Sequence, residues 1–193
     1  MPNERKSQII KAAAKRFARH GLTKTTLDEV ARDIRIGKAT IYHYFNSKEA
    51  LFVETLRWEI ELFLEQIKIV LTAEEKPITE KVLEYFSLKD NIQENYKIIY
   101  ETFLNYFNER ILEKENEQIK FLLSKEEEIL KKILSSAYKE KVMSISPALP
   151  YYLVTYSWGI QFGSKLNEGV NQSKINASKD IILKSLESLI PQV

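Results

Sequence analysis

The sequence predicts an all-α protein. A three-helix head containing a helix-turn-helix, residues 1–47, joins a larger helical domain, residues 48–193, with about nine helices in total. Three observations predict this. Apolar residues recur at helical spacing almost throughout, and β-branched alternation bounded by turn residues is absent. The run TLDEVARDIRIGKATIYHYFNSK, Thr26 to Lys48, reads as two short helices about a tight turn. Charge is also divided: residues 1–48 hold eleven Lys/Arg against four Asp/Glu, and residues 49–193 hold eighteen against twenty-three, so a head of +7 precedes a body of −5. The chain total of +2 hides that split.

The elements follow in order. The first helix runs from about Asn3 to His20 with Ile10, Ala13, Ala14 and Phe17 inward, and Gly21 suits the left-handed position after its end. Leu27, Val30, Ala31 and Ile34 then fall at i, i+3, i+4 and i+7, and Thr26 with Glu29 forms a capping-box pair in front of them. Arg35-Ile36-Gly37 breaks the pattern, and a further helix carries Ile41 and Phe45 on one face, Lys38, Ala39, Tyr42 and His43 on another. Asn46 or Ser47 caps a long helix from Lys48 to Leu71, and Pro77 opens the next. An aromatic helix spans Asp90 to Asn108, and a Lys/Glu-rich one runs from Glu113 to Val142 with a possible break near Ser124. Tyr151 to Leu166 is helical, Asn167–Ser173 is a loop, and a last helix covers Ala177 to Leu189.

The second short helix has the chemistry of a DNA-reading element. In a helix-turn-helix its N-terminal residues lie nearest the base edges. Lys38 can reach guanine acceptors and Ala39 a thymine methyl, while Thr26, Thr40, Tyr42 and Lys48 suit phosphates, which set register. No Asp or Glu occurs from Arg35 to Lys48, so nothing in that stretch repels the backbone. Lys38 and Lys48 sit near helix N-termini, where the macrodipole disfavours a cation by roughly 0.3–1 kcal/mol and a bound phosphate reverses the effect. Solvent screening of exposed lysines is the plainer account of both positions.

The run TTLDEVARDIRIGKATIYHYFNSKEALF, with the preceding amphipathic helix and Gly21, resembles the N-terminal domain of TetR-family (tetracycline-repressor-like) regulators over about Ser7 to Leu56. The resemblance implies a homodimeric repressor of double-stranded DNA whose C-terminal domain binds a small effector and dimerises; dimer geometry predicts a pseudo-palindromic operator, and the aromatic-rich body a largely apolar effector. It implies DNA contacts at Thr26, Lys38, Thr40, Tyr42, His43 and Lys48. Three positions depart from the family pattern: Arg35 replaces the usual turn glycine, Gly37 the usual Ser/Thr cap, and Ala39 an often-glycine position. Arg35 is expected to force a slightly different turn and to add a phosphate contact.

In the body, Tyr96, Tyr100, Phe103 and Phe107 form one helical stripe among seven aromatics between Tyr85 and Phe107. Plain core packing explains such a stripe, but buried tyrosine hydroxyls need partners, and small-molecule sites are apolar walls with few polar groups. The expected effector pocket takes Phe63, Phe86, Tyr100, Phe103, Phe107 and Trp158 as walls, with Asn105 and Gln161 as polar anchors. Thr155, Gly159 and Gly163 recur every four residues, a small-residue row on which another backbone can pack. With Ile182, Leu186 and Leu189 of the last helix they make the expected dimer face, intramolecular packing being the alternative.

Only His20 and His43 occur, neither at metal-ligand spacing, cysteine is absent, and no phosphate-binding or nucleophile motif appears among five glycines. We therefore expect no catalytic residue, no metal and no cofactor. No apolar run of about 18 residues and no signal peptide is apparent, so a cytoplasmic location without membrane contact is expected. A constitutive DNA-binding protein without an effector, or a small helical enzyme, are the competing readings.

Overall fold

A computed structural model describes residues 2–139, 146–166 and 172–189, which form ten helices and no strand. They are α1 (Pro2–His20), α2 (Leu27–Asp33), α3 (Lys38–Tyr44), α4 (Lys48–Thr72), α5 (Ile78–Ser87), α6 (Ile92–Asn95), α7 (Lys97–Phe107), α8 (Glu113–Lys139), α9 (Leu149–Leu166) and α10 (Gln172–Leu189).

The termini explain most boundaries. The Gly21 N–H donates to the Phe17 carbonyl at 2.8 Å with φ 74°, the left-handed stop expected there. Ser47 caps α4, its Oγ accepting from the Ala50 N–H at 3.0 Å. Pro77 is the N-cap of α5, φ −62° and ψ 153°, one residue ahead of the first helical position. Arg35 does not reroute its turn. It adopts φ 55° itself, in the conformation a glycine would take, and the Ile36 N–H reaches the Ala31 carbonyl at 3.0 Å while the Arg35 N–H reaches Arg32 at 3.1 Å. That bond pair is a Schellman cap with arginine in the left-handed position. Glu109 ends α7 the same way, with φ 55° and Arg110 N–H donating to the Asn105 carbonyl at 2.9 Å.

Two boundaries differ from the sequence reading. The aromatic segment is two helices, because Tyr96 leaves helical geometry at φ −136°, ψ 60° and becomes the N-cap of α7; α6 is thus the tenth helix. The last helix starts at Gln172, not Ala177. The charged helix α8 is continuous through Ser124.

The residues pack as two compact units, Met1–Phe63 with Ile92–Leu122, and Leu64–Asn91 with Leu123–Val193. In the first, α1 packs on α2 and α7, and α2 on α3. Its core takes Ile9 and Phe17 from α1, Val30 from α2, Ile41 and Phe45 from α3, and Leu51, Phe52 and Leu56 from α4, with Phe17 and Phe52 edge to face at 5.1 Å. In the second, α10 packs on α5 and α9. Its core includes Val82, Tyr85 and Phe86 of α5, Leu130 and Leu134 of α8, and Leu153, Trp158 and Phe162 of α9.

Candidate nucleic-acid interface

The helix-turn-helix is held from beneath and open above. Leu27, Val30 and Ala31 of α2 and Ile41 and Phe45 around α3 are buried, which fixes the pair with its opposite faces outward. Thr26 closes the capping box: the Glu29 N–H donates to Thr26 Oγ1 at 3.3 Å, and the Thr26 N–H donates to Glu29 Oε2 at 2.9 Å. Those bonds from Thr26 hold the Glu29 carboxyl below the usual range. Gly37 starts α3 with no side-chain cap. All eight candidate contacts lie in the first unit and meet solvent: Thr26, Arg35, Lys38, Ala39, Tyr42 and His43 are exposed, Thr40 and Lys48 half-buried. Tyr42 is 44% exposed although it is a large aromatic on a helix whose other face is core. The Lys48 ammonium lies 3.5 Å from the Thr23 carbonyl.

Sequence reasoning missed one participant. Asp28, in the first turn of α2, pairs through Oδ2 with Lys38 Nζ at 2.9 Å, and the Lys38 ammonium sits 5.6 Å from the centre of the Tyr42 ring. The bond from Asp28 lifts Lys38 above its ordinary range. Asp28 Oδ1 is covered and accepts no hydrogen bond from a described residue. A carboxylate therefore does stand beside the candidate reading surface, ten residues upstream of the lysine it holds; only its position in the first turn of the preceding helix hinted at this.

The first unit contains a second unforeseen group. Glu59 on α4 is buried and accepts the Ile99 N–H at 2.7 Å, so a side chain from α4 caps the start of α7. Burial pushes this carboxyl up to about 7. Phe63, one turn on, meets the Tyr96 ring edge to face at 4.9 Å.

The expected pocket residues divide between the units: Phe63, Tyr100, Phe103, Asn105 and Phe107 belong to the first, Phe86, Trp158 and Gln161 to the second. Phe63, Phe86, Tyr100, Phe103 and Trp158 are core, Asn105 and Gln161 half-buried. Phe107 is 58% exposed, because it is the last residue of α7 and lies beyond the turn that packs. A cavity of about 670 Å³ opens in the first unit between the end of α1, the loop from Gly21 to Lys24 and α7, and of the expected lining only Asn105 reaches it.

On α9, Thr155, Gly159 and Gly163 are exposed, and a Cβ added to either glycine meets nothing within 4 Å among the described residues. Ile182 is not on an open face: it is 3% exposed, turned into the second unit where α10 packs on α5 and α9, while its neighbour Ile181 is 65% exposed. The side chains of Leu186 and Leu189 lie outside the described residues. Among the described residues no helix is long and apolar enough to cross a membrane.

Comparison with known proteins singles out the same segment. Residues 9–55 match the family described as bacterial regulatory proteins, tetR family. An uncharacterized helix-turn-helix-type transcriptional regulator of Bacillus subtilis, YerO, is 36% identical over 66 residues, 34% of this chain and 23% of that protein. The transcriptional regulator QacR of Staphylococcus aureus is 30% identical over 125 residues, 59% of this chain and 64% of QacR. The chain thus spans less than two thirds of either relative. A crystal structure of a TetR-family transcriptional regulator from Pectobacterium atrosepticum superposes with a TM-score of 0.69 at 14% identity, covering 98% of this chain and 93% of that one; at this identity the likeness concerns the fold.

Proposed function

We propose that this chain is a TetR-family regulator carrying that family's helix-turn-helix DNA-binding domain, a homodimeric repressor released from its operator by a small effector. The observation that carries this reading is the outward face of α3. Lys38, Ala39, Tyr42 and His43 are exposed together on a helix whose other side is core. A duplex offers Tyr42 and His43 phosphate and sugar, and α3 itself carries no carboxylate to repel it.

In this reading residues 1–47 are the DNA-binding head and residues 48–193 the effector-binding and dimerisation body, working in the cytoplasm. Lys38 and Ala39 meet base edges; Thr26, Arg35, Thr40, Tyr42, His43 and Lys48 hold the backbone on either side. Two α3 helices, one per protomer, enter successive major grooves about 34–36 Å apart on a pseudo-palindromic site. The effector acts through α4, which begins at Lys48 directly after the head. Whatever factor the effector takes from operator affinity, the operator takes from effector affinity.

Fluorescence anisotropy on a labelled duplex carrying the operator, run from 50 to 200 mM salt, tests the reading. Six to ten phosphate contacts predict a fall in affinity of about 10³–10⁵-fold over that range. Tyr42→Ala is expected to weaken binding at least tenfold while the dimer and its helicity stay unchanged. Salt-independent binding, or a Tyr42→Ala protein that binds like the parent, overturns it.

A further inference from the structure

The second unit buries an ion pair that neither a helical fold nor DNA binding calls for. Lys89, in the turn after α5, is 1% exposed, and Glu126 on α8 is fully covered. Lys89 Nζ donates to Glu126 Oε2 at 2.7 Å, and the Trp158 indole N–H donates to Oε1 at 3.0 Å. The Tyr85 hydroxyl donates to the same carboxylate, with Ser157 Oγ 3.3 Å from that hydroxyl. The Lys89 ammonium also lies 3.7 Å from the centre of the Tyr85 ring and 4.9 Å from that of Trp158. Buried pairs of this kind are often no more stable than an apolar replacement, because both charges lose water. Two aromatic faces with a carboxylate behind them are, however, what an organic ammonium ion seeks.

We propose that Tyr85, Trp158 and Glu126 form a receptor for ligands carrying one organic ammonium group, with Lys89 as its tethered occupant, displaced to solvent when such a ligand binds. The inference rests on reading the chain as effector-responsive, and it gives the otherwise apolar effector a single positive charge. The exchange is neutral: one ammonium leaves as another arrives, so Glu126 is never left unpaired. Lys89 stands in the turn after α5, outside the helix, with its N–H donating to the Phe86 carbonyl at 3.1 Å, so moving its side chain breaks no helical hydrogen bond. The neighbouring carboxylate, Asp90, is already paired with Lys179 of α10, so it does not draw Lys89 aside. The tethered lysine lowers ligand affinity by the fraction of time it leaves the cage free.

Trp158 reports the event directly. In a Trp58→Phe background it is the sole tryptophan, and its fluorescence is titrated with benzyltrimethylammonium, benzyl alcohol serving as the neutral control. The expected result is a saturable change with the cation only, at least tenfold tighter in Lys89→Met and lost in Glu126→Gln. Burial pulls Lys89 down to about 8 and pushes the Tyr85 phenol up, so between pH 7 and 9.5 the competitor loses its charge while the phenol keeps its proton. Affinity of the parent for this permanent cation is therefore expected to rise over that interval, and to stay flat in Lys89→Met. No saturable signal in both parent and Lys89→Met, undiminished binding by Glu126→Gln, or a pH-independent parent overturns the proposal. If Lys89→Met does not fold, the pH series on the parent decides alone. Failure here leaves the DNA reading standing, since that depends on the anisotropy of the Tyr42→Ala protein.

Discussion

Arg35 holds a backbone conformation that costs a side-chain-bearing residue about 1 kcal/mol, and it stands on the surface expected to meet phosphate. The two facts predict opposite effects of one substitution. Arg35→Gly relieves the strain and should raise stability by about 0.5–1 kcal/mol, a gain in Tm of about 2–4 °C. It also removes a cation from the interface, so the slope of log affinity against log salt should fall by about one. Calorimetry and anisotropy on the same sample check both. Glu59 gives a second prediction at this scale. Its carboxyl is raised from 4.5 to about 7 in the folded protein, so between those values the folded state binds more protons than the unfolded one, and this group's contribution to stability falls as pH rises through that window. Glu59→Gln keeps an acceptor for the Ile99 N–H and loses the titration. Its stability relative to the parent should grow from near zero at pH 4.5 to roughly 3 kcal/mol at pH 8, measured by urea unfolding. The sequence marked the position of Arg35, which stands where the family pattern has its turn glycine, but not that the arginine would adopt the glycine's own conformation. Glu59 was not legible, because it meets its partner forty residues away.

Among the elements, α2 and α3 were the most legible, because Thr26, Glu29 and the Leu27–Val30–Ala31 spacing are local signals and the local bonds satisfy them. What the pattern could not display is the Asp28–Lys38 pair, which forms only once the turn brings the two helix starts together. That pair restrains the lysine expected to reach guanine. Asp28→Asn should free it and tighten DNA binding by roughly three- to tenfold at 0.1 M salt, with a slope steeper by about one. The same change removes a favourable charge from the α2 N-terminus and should lower stability by about 0.3–1 kcal/mol. Tighter binding with lower stability is the signature to look for; weaker binding argues that Asp28 positions Lys38 productively. The split between α6 and α7 escaped notice for a related reason. Tyr96 keeps the aromatic periodicity unbroken through the kink, and the cap that permits the kink comes from Glu59 on another helix.

At the scale of the whole molecule, an all-helical chain with a basic head was readable from periodicity and from the change of charge near residue 48, both of which are sums over many residues. Burial is not such a sum. Ile181 and Ile182 are chemically identical, and only the packing of α10 determines that the second is core and the first exposed. The open glycine ridge of α9 carries the prediction about assembly. A Cβ at Gly159 or Gly163 meets nothing within 4 Å among the described residues, so Gly159→Leu should leave the folded monomer intact, even gaining helix propensity. If that ridge lies on the two-fold, sedimentation equilibrium should report monomers; an undisturbed dimer would move the contact elsewhere.

The first packing unit has one more consequence, and it concerns the order in which the chain is made. Its core joins residues up to Phe63 with a stretch that begins only at Ile92 and closes at Leu122. On a ribosome adding about 5–20 residues per second, the head waits roughly 3–12 s for its remaining helices after its own have emerged. During that interval Glu59 and Phe63 lack Ile99 and Tyr96, the partners they meet in the finished unit, so nascent chains stalled before residue 92 should be digested by protease faster than those stalled well past 122.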